Sequence, residues 1–245
     1  MKYAVITGST KGIGKAIAKK LLGEGWFVFA NYAHDDESAE QFDAECRADF
    51  QSGEGSFEII KEELSSQAAV QRFVKRILEK TKRIDCLVLN AAATDRTPFE
   101  EIRPENWEHV INTNVNAPFY LTQSLQSYLP QNEGRIIFIG SICGIYPHAI
   151  SPAYGVSKAA VHQMAKELVK FFAPRGITVN TVIPSFVDTP WQKTKAPDHR
   201  KRIEDKLALH RFAYPEEIAS LCWEVINNPY INGANLRIDG GYCYR

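Results

Sequence analysis

A chain of 245 residues, 44% apolar and 24% charged, can bury a large core and has the composition of a globular protein, not of a disordered or fibrous one. Lysine plus arginine balances aspartate plus glutamate at 29 each, so broad attraction to nucleic acid or to an anionic membrane is not expected. The five cysteines, Cys46, Cys86, Cys143, Cys222 and Cys243, are odd in number and widely spaced and form no Cys-x-x-Cys pair, which reads as reduced thiols in a cytoplasmic protein. In chain order, a short apolar strand over Lys2 to Thr7 leaves no room for a leader and runs into a glycine loop. A helix follows from Lys15 to Leu22, with Ile13, Ala16, Ile17 and Leu21 at helical spacing and Gly23 and Gly25 marking its end. Trp26 to Ala30 reads as a strand, Glu37 to Phe50 as a helix, Phe57 to Ile60 as a strand and Ala68 to Lys80 as a helix. Asp85 to Leu89 is a fourth strand, and Pro104 opens a long helix to Tyr128, as proline in a first turn does. Arg135 to Gly140, Ile177 to Ile183 and Ala234 to Ile238 complete seven strands. Helices lie between them at Ala153 to Phe172 and from Pro215. No apolar run reaches bilayer length.

Alternating strands and helices, with strands apolar throughout, imply a parallel sheet covered on both faces. The fold expected is α/β: a single Rossmann-type, doubly wound sheet of about seven strands forming one domain over residues 1–245. Residues 190–214 interrupt the alternation and are rich in Lys, Arg, His and Pro. They form either a solvated surface segment or a lid over a pocket, and their length favours the lid.

Four features carry chemistry. Thr7-Gly8-Ser9-Thr10-Lys11-Gly12-Ile13-Gly14 joins the first strand to the first helix, where free N–H groups and the positive end of the helix suit a pyrophosphate. Tyr154 and Lys158 stand four residues apart and share a helix face, so the ammonium favours the phenolate and lowers the phenol's pKa toward a useful range. Ser141 ends the fifth strand, on the edge where ligands bind in open parallel sheets. Asn114 lies beside an apolar stripe of Trp107, Ile111, Val115 and Phe119, as a surface amide or as a buried one that needs partners. The six histidines show no metal-ligand spacing, so no metal is expected.

The glycine loop resembles the Thr-Gly-x-x-x-Gly-x-Gly motif of short-chain dehydrogenases/reductases, and the resemblance runs the length of the chain. Leu89-Asn90-Ala91-Ala92 is similar to the family's Asn-Asn-Ala-Gly, Tyr154-Gly155-Val156-Ser157-Lys158 to Tyr-x-x-x-Lys, and Pro184-Ser185-Phe186-Val187-Asp188-Thr189 to Pro-Gly-x-x-x-Thr. Asn112-Thr113-Asn114-Val115 carries the active-site asparagine, and Asp239-Gly240-Gly241 is a typical ending. Leu89, Ala92 and Ser185 depart from the pattern, as does Glu63, where an aspartate commonly contacts adenine. The resemblance implies an NADP(H)-dependent oxidoreductase with catalytic Asn114, Ser141, Tyr154 and Lys158. In it Tyr154 acts as general acid, Ser141 holds the carbonyl, Lys158 also binds the nicotinamide ribose and Asn114 supports a water chain to Lys158.

The cofactor would lie against Gly8, Ser9, Thr10, Lys11, Gly12, Ile13, Gly14, Asn31, Tyr32, Glu63, Leu64, Asn90, Ala91, Ala92, Tyr154, Lys158, Pro184, Val187 and Thr189. NADP(H) is expected over NAD(H) because no acid stands at Asn31-Tyr32, where an NAD site needs a carboxylate for the ribose. Asp35 and Asp36 come later, where acids cap a helix. Lys11 is placed to meet the 2′-phosphate, with Asn31 and Tyr32 adding hydrogen bonds. Ser141, Cys143, Tyr146, Tyr154 and Trp191 are expected to shape the substrate pocket, with Ile145 and His148 beside them.

The resemblance is strongest to 3-oxoacyl-[acyl-carrier-protein] reductases, which dock an acidic carrier on exposed cations. Arg175 matches one such position, but Gln131-Asn132-Glu133 stands where a second cation is usual. A sugar, polyol, steroid or small ketone is the alternative substrate, and a non-catalytic cofactor sensor on the same fold is a remote one. The family also implies a homotetramer packed through the two long helices.

Overall fold

The computed structural model describes residues 1–50, 55–147, 151–193, 195–242 and 244. Seven parallel strands form one sheet in the order β3-β2-β1-β4-β5-β6-β7, comprising β1 (Tyr3–Ile6), β2 (Phe27–Tyr32), β3 (Ser56–Lys61), β4 (Cys86–Leu89), β5 (Arg135–Ile139), β6 (Thr178–Pro184) and β7 (Asn235–Ile238). The order reverses at β1 and β4, which pair from Ala4 opposite Cys86 to Ile6 opposite Val88. At such a reversal the loops leaving the carboxyl ends of the strands diverge and open a crevice.

Alternate residues of each strand enter different cores. Ala4, Ile6, Val28, Ala30, Val88 and Ile137 pack on one face beneath α1 (Gly12–Gly23), α2 (Asp36–Asp49) and α9 (Pro215–Asn227). Val5, Phe27, Phe29, Leu87, Phe138 and Val179 pack on the other beneath α3 (Gln67–Lys80), α5 (Ala117–Leu125) and α6 (Pro152–Phe172). In the central strands β1, β2, β4 and β5 nearly every residue is buried, so these read as apolar runs and not as alternation, whereas the edge strands β3 and β7 are only partly buried.

The helix expected over Pro104 to Tyr128 is not uniform. It comprises α4 (Pro104–Ile111), one wider π-helical turn over Asn112–Asn116, α5 and a closing 3-10 turn. The π turn swings Asn114 inward to 2% exposure, while Trp107 and Phe119 of the neighbouring stripe stay 37% and 39% exposed. Within 190–214 two short helices form, α7 (Pro190–Lys193) and α8 (Pro197–Glu204). Ile203, Leu207 and Phe212 bury a small cluster of their own against Phe186 and Tyr242, and Arg200 ties the segment back to Asp188 at 2.9 Å. Among the described residues no helix is long and apolar enough to cross a membrane.

Candidate active site

A cavity of about 600 Å³ opens along the carboxyl ends of β1 to β6. Its floor on one side is the glycine loop. Gly8 has φ +61°, and a Cβ there would lie 3.0 Å from the Cα of Ala91; a Cβ on Gly14 would collide with the Gly8 carbonyl oxygen. Glycine is required at both, once for the left-handed backbone and once for close packing of loop on helix. Asn90 fastens this loop: its amide donates to the carbonyls of Thr7 (2.9 Å) and Gly8 (2.8 Å), while the Thr7 hydroxyl accepts from the main-chain N–H groups of Asn90 and Ala91. No side chain caps the first turn of α1, whereas Asp35 caps α2 and Ser66 caps α3. Lys11, Gly12 and Ile13 at the start of α1 line the cavity, and an uncapped helix start beside a cavity suits an anion.

The expected cofactor residues Gly8, Thr10, Lys11, Gly12, Ile13, Asn31, Tyr32, Glu63, Leu64, Asn90, Ala91, Ala92, Pro184, Val187 and Thr189 line this cavity. Ser9 and Gly14 lie beneath it; the Ser9 hydroxyl donates back to the Ile6 carbonyl at 3.0 Å. Three of these residues are engaged differently from expectation. Lys11 is held by Asp35 at 2.5 Å, and that bond, with the capping N–H of Ser38, pulls the Asp35 carboxyl down to about 2. Asn31 accepts from the Gly8 N–H and donates to the carbonyls of Tyr32, Ile60 and Glu62, so its amide spans loop and strands and keeps no spare donor for a phosphate. The Tyr32 hydroxyl donates to Asp36 at 2.8 Å.

The opposite side is built from β5 and α6. Pro152 and the extended Ser151 start α6 so that Tyr154 and Lys158 face the end of β5. The Lys158 ammonium is 3% exposed, donates to the Ile139 carbonyl at 2.7 Å and stands 5.6 Å from the Tyr154 ring centre. Burial pulls Lys158 down to about 8. Burial also raises the Tyr154 phenol above its ordinary value, helped by the neighbouring Cys143 and opposed by a hydrogen bond from Ser141. The lowered phenol expected from the Tyr–Lys spacing is therefore not a property of these side chains alone, because loss of solvent outweighs an ammonium at this distance.

The Ser141 hydroxyl accepts from the Cys143 N–H at 3.2 Å, and the Ser141 N–H donates to His162 Nε2 at 3.3 Å. His162 is 6% exposed, and burial next to Lys158 and Lys166 pulls it down to about 4, which keeps it a neutral acceptor. Trp191 meets the Tyr154 ring edge-on, with centroids 6.0 Å apart.

Asn114 does not line the cavity. Its amide donates to the Ala93 carbonyl and the Ser157 hydroxyl, both at 2.9 Å, and accepts from the Ala93 N–H at 2.7 Å. It thus joins the π turn to the loop after β4 and to α6 and reaches the neighbour of Lys158, not Lys158 itself. Tyr146 lies outside the lining as well: its hydroxyl accepts from Arg237 at 3.1 Å and its ring packs on Tyr242. Ile145 is exposed and also off the lining, and His148 and Cys243 lie outside the described residues.

Residues not anticipated from the sequence also line the cavity, among them Arg96, His109, Thr113, Ser151, Phe186 and Lys195. Lys195 falls in the basic 190–214 segment read as a lid, which was its available signal, whereas no motif marks Arg96 in the loop after β4. Among the described residues no cluster of His, Cys, Asp or Glu forms a metal site.

The family model for short chain dehydrogenases matches residues 2–200. The chain belongs to the short-chain dehydrogenase/reductase family. It is an oxidoreductase of that family, and its fold matches those of solved members. A short-chain relative, the 3-oxoacyl-[acyl-carrier-protein] reductase of Synechocystis sp., is 33% identical over 244 residues, covering 98% of this chain and 96% of the relative. A short-chain dehydrogenase/reductase from Serratia marcescens superimposes with a TM-score of 0.90 at 31% identity, covering 98% of this chain and 97% of that one. A short chain dehydrogenase from Burkholderia cenocepacia, solved in complex with NADP, superimposes with a TM-score of 0.89 at 29% identity, covering 98% and 97%.

Proposed function

We propose that this protein reduces a ketone to an alcohol with NADP(H), and that Tyr154 supplies the proton. The observation that carries the reading is the convergence of Ser141, Tyr154 and the buried ammonium of Lys158 on one cavity whose other end is an uncapped helix behind a glycine loop. The residues present fit a dinucleotide: the open N–H groups of α1 suit its pyrophosphate, the Gly8–Gly12 backbone leaves room for it, and Asn90, Ala91, Pro184, Val187 and Thr189 wall the path toward Lys158. The Burkholderia structure with NADP supports the choice of cofactor. The lack of a carboxylate on Asn31 or Tyr32 does so too, although Asp35 shares Lys11. When bound, the nicotinamide supplies the hydride.

The protein's own part is proton and position. Ser141 donates a hydrogen bond to the carbonyl oxygen and holds it against Tyr154. The phenol, kept protonated by burial, gives its proton to that oxygen. Lys158 stabilises the phenolate left behind, which it does from a water-poor site where charge acts strongly. Asn114 fixes the backbone of Ala93 and the Ser157 side chain, and with them the register of α6. Segment 190–214 serves as the lid, with Trp191 closing on Tyr154.

The favoured substrates are 3-oxoacyl compounds, as the name of the Synechocystis relative suggests. Carrier docking gets less support. Arg175 spends its guanidinium on the Gln126 and Leu129 carbonyls, and Glu133 pairs with Arg83. A homotetramer fits the outward-facing Trp107, Phe119, Val156 and Phe171 on the two long helices, and light scattering giving a monomer mass at micromolar concentration would refute it. A panel of ketones, aldehydes and alcohols, including acyl-carrier and pantetheine thioesters, followed by nicotinamide absorbance tests the reaction. Oxidation of NADPH by a ketone is expected, and no turnover of any carbonyl contradicts the proposal.

A further inference from the structure

The charges that line the cavity are sorted by strand. All three lining carboxylates, Asp35, Glu62 and Glu63, follow β2 or β3. Asp35 is paired with Lys11 at 2.5 Å and Glu62 with Arg72 at 2.7 Å, and Glu63 lies 3.5 Å from His34 Nε2. Beyond β4, β5 and β6 the lining holds Arg96, Lys158 and Lys195 and no carboxylate. Lys158 belongs to the reaction proposed above. Arg96 and Lys195 have no part in it.

Arg96 lies in the loop after β4 and Lys195 in the segment after β6, so they approach the cavity from different strands. Among the described residues neither forms an ion pair. The charged and polarisable neighbours that act on Lys195 are Arg96, a like charge, and the Cys143 thiol. Burial and Arg96 both depress its pKa. Cys143 is two residues past Ser141 and touches its hydroxyl through the 3.2 Å bond already described. The main-chain N–H of Lys195 donates to the Gln192 carbonyl, one residue past the Trp191 that meets Tyr154 edge-on, and Arg96 lies three residues past Ala93, which Asn114 ties to Ser157 beside Lys158, so both cations line the end of the cavity that holds Tyr154 and not the end that holds the glycine loop. Lys195 is partly buried and Arg96 is exposed at the cavity's edge, so the pair stays open to solvent, and an anion that bridges them relieves the repulsion between two like charges. The cofactor's phosphates are provided for at the other end, by α1 and Lys11.

We infer that Arg96 and Lys195 form an anion subsite next to the reacting carbonyl, so that the substrate is a ketone bearing its own carboxylate a few bonds away, a short oxo acid. This rests on the carbonyl-reductase reading and narrows it from 3-oxoacyl compounds in general to those with a charge close to the ketone. A carboxylate spanning a guanidinium and an ammonium gains charge-assisted hydrogen bonds, and one such bond corresponds to about ten- to a hundredfold in efficiency.

The test compares kcat/KM, with NADPH, for a short 3-oxo acid, its methyl ester, its neutral N-acetylcysteamine thioester and its coenzyme A thioester. The wild type is set beside Arg96→Met, Lys195→Met and the charge-keeping Lys195→Arg. The readout is the ratio of acid to ester, which partial unfolding or weaker cofactor binding does not move. We expect the acid to exceed the ester at least tenfold, the ratio to collapse toward one in either methionine variant, and Lys195→Arg to restore most of it. An ester turned over as well as the acid overturns the subsite and leaves the reductase reading standing. A preference for the coenzyme A thioester alone that is lost in the methionine variants overturns it too, because the charge recognised is then a remote phosphate. Turnover of none of the four, nor of any other ketone, overturns the reductase reading itself.

Discussion

Lys11 and Lys158 line the same cavity, yet the first has half its side chain in solvent and is held by Asp35, whereas the second is 3% exposed and donates to a main-chain carbonyl. The contrast extends to the surroundings of each. Among the described residues that line the β1-β2-β3 side, the charged and amide groups have partners: Asn31 satisfies four main-chain groups, and Glu62 is held by Arg72. On the β4-β5-β6 side stand a lysine pulled down to about 8, a histidine pulled down to about 4 and a phenol pushed upward, all chiefly by burial. A surface built to bind can satisfy itself in advance. A surface built to move a proton keeps groups whose charge states are costly, and that cost is what gives them their strength in the reaction.

The largest break in this contrast is Lys158→Met. The field that favours the phenolate disappears, so turnover should fall by about a hundredfold or more. Stability should move the other way. Lowering a lysine from 10.5 to about 8 corresponds to about 3 kcal/mol against the folded state wherever the group is charged. Removing it therefore raises the melting temperature, at about 2–4 °C per kcal/mol recovered. A variant both inactive and less stable would mean that Lys158 is structural.

The same group sets a pH window. Its folded pKa lies below the unfolded value, so between about 8 and 10.5 the unfolded chain binds more protons and stability rises with pH. Over that rise Lys158 loses its charge, so the reduction rate should fall through about pH 8 while melting temperature does not. Rate and melting profiles that fall together would contradict this.

On the other side, Gly14→Ala forces a methyl group into the Gly8 carbonyl. Overpacking of this kind costs about 1–3 kcal/mol. Calorimetry should show a lower melting temperature, and titration should show NADPH binding weakened more than tenfold. Unchanged values would mean that the loop is slack.

The smallest effect sharpens the role of the Lys11–Asp35 pair. Asp35→Asn keeps a good helix cap and removes the competing anion. NADPH should bind a few-fold tighter and NADH unchanged, while Lys11→Ala should weaken NADPH about tenfold. Equal shifts for both coenzymes would remove Lys11 from the 2′-phosphate site.

Much of this architecture is legible in the sequence because it is local. Apolar runs alternating with helical periods give seven strands and their crossovers, and the glycine loop and the Tyr154–Lys158 spacing need only a strand end and a helix face. What is not legible depends on distant partners. Asp35 reaches Lys11 across 24 positions, and Asn31 is consumed by Gly8, Ile60 and Glu62. The burial of Asn114 depends on one π turn that no 3.6-residue pattern reveals. Tyr146 turns away because Arg237 and Tyr242, near the end of the chain, hold it. Arg96 and Lys195 carry no motif and meet only because the loops after β4 and β6 converge.

Tyr154→Phe tests the central claim most directly, since it keeps the ring against Trp191 and removes only the acidic proton. Turnover of a ketone and the Kd for NADPH should be measured on the same preparation. General acid catalysis is worth about 10²–10⁴-fold, so turnover should fall by that amount while the Kd stays within a few-fold of wild type. A variant that keeps more than about a tenth of the wild-type rate, or that loses NADPH binding in step with turnover, would contradict the assignment of proton transfer to Tyr154 and the separation of binding from chemistry along this edge of the sheet.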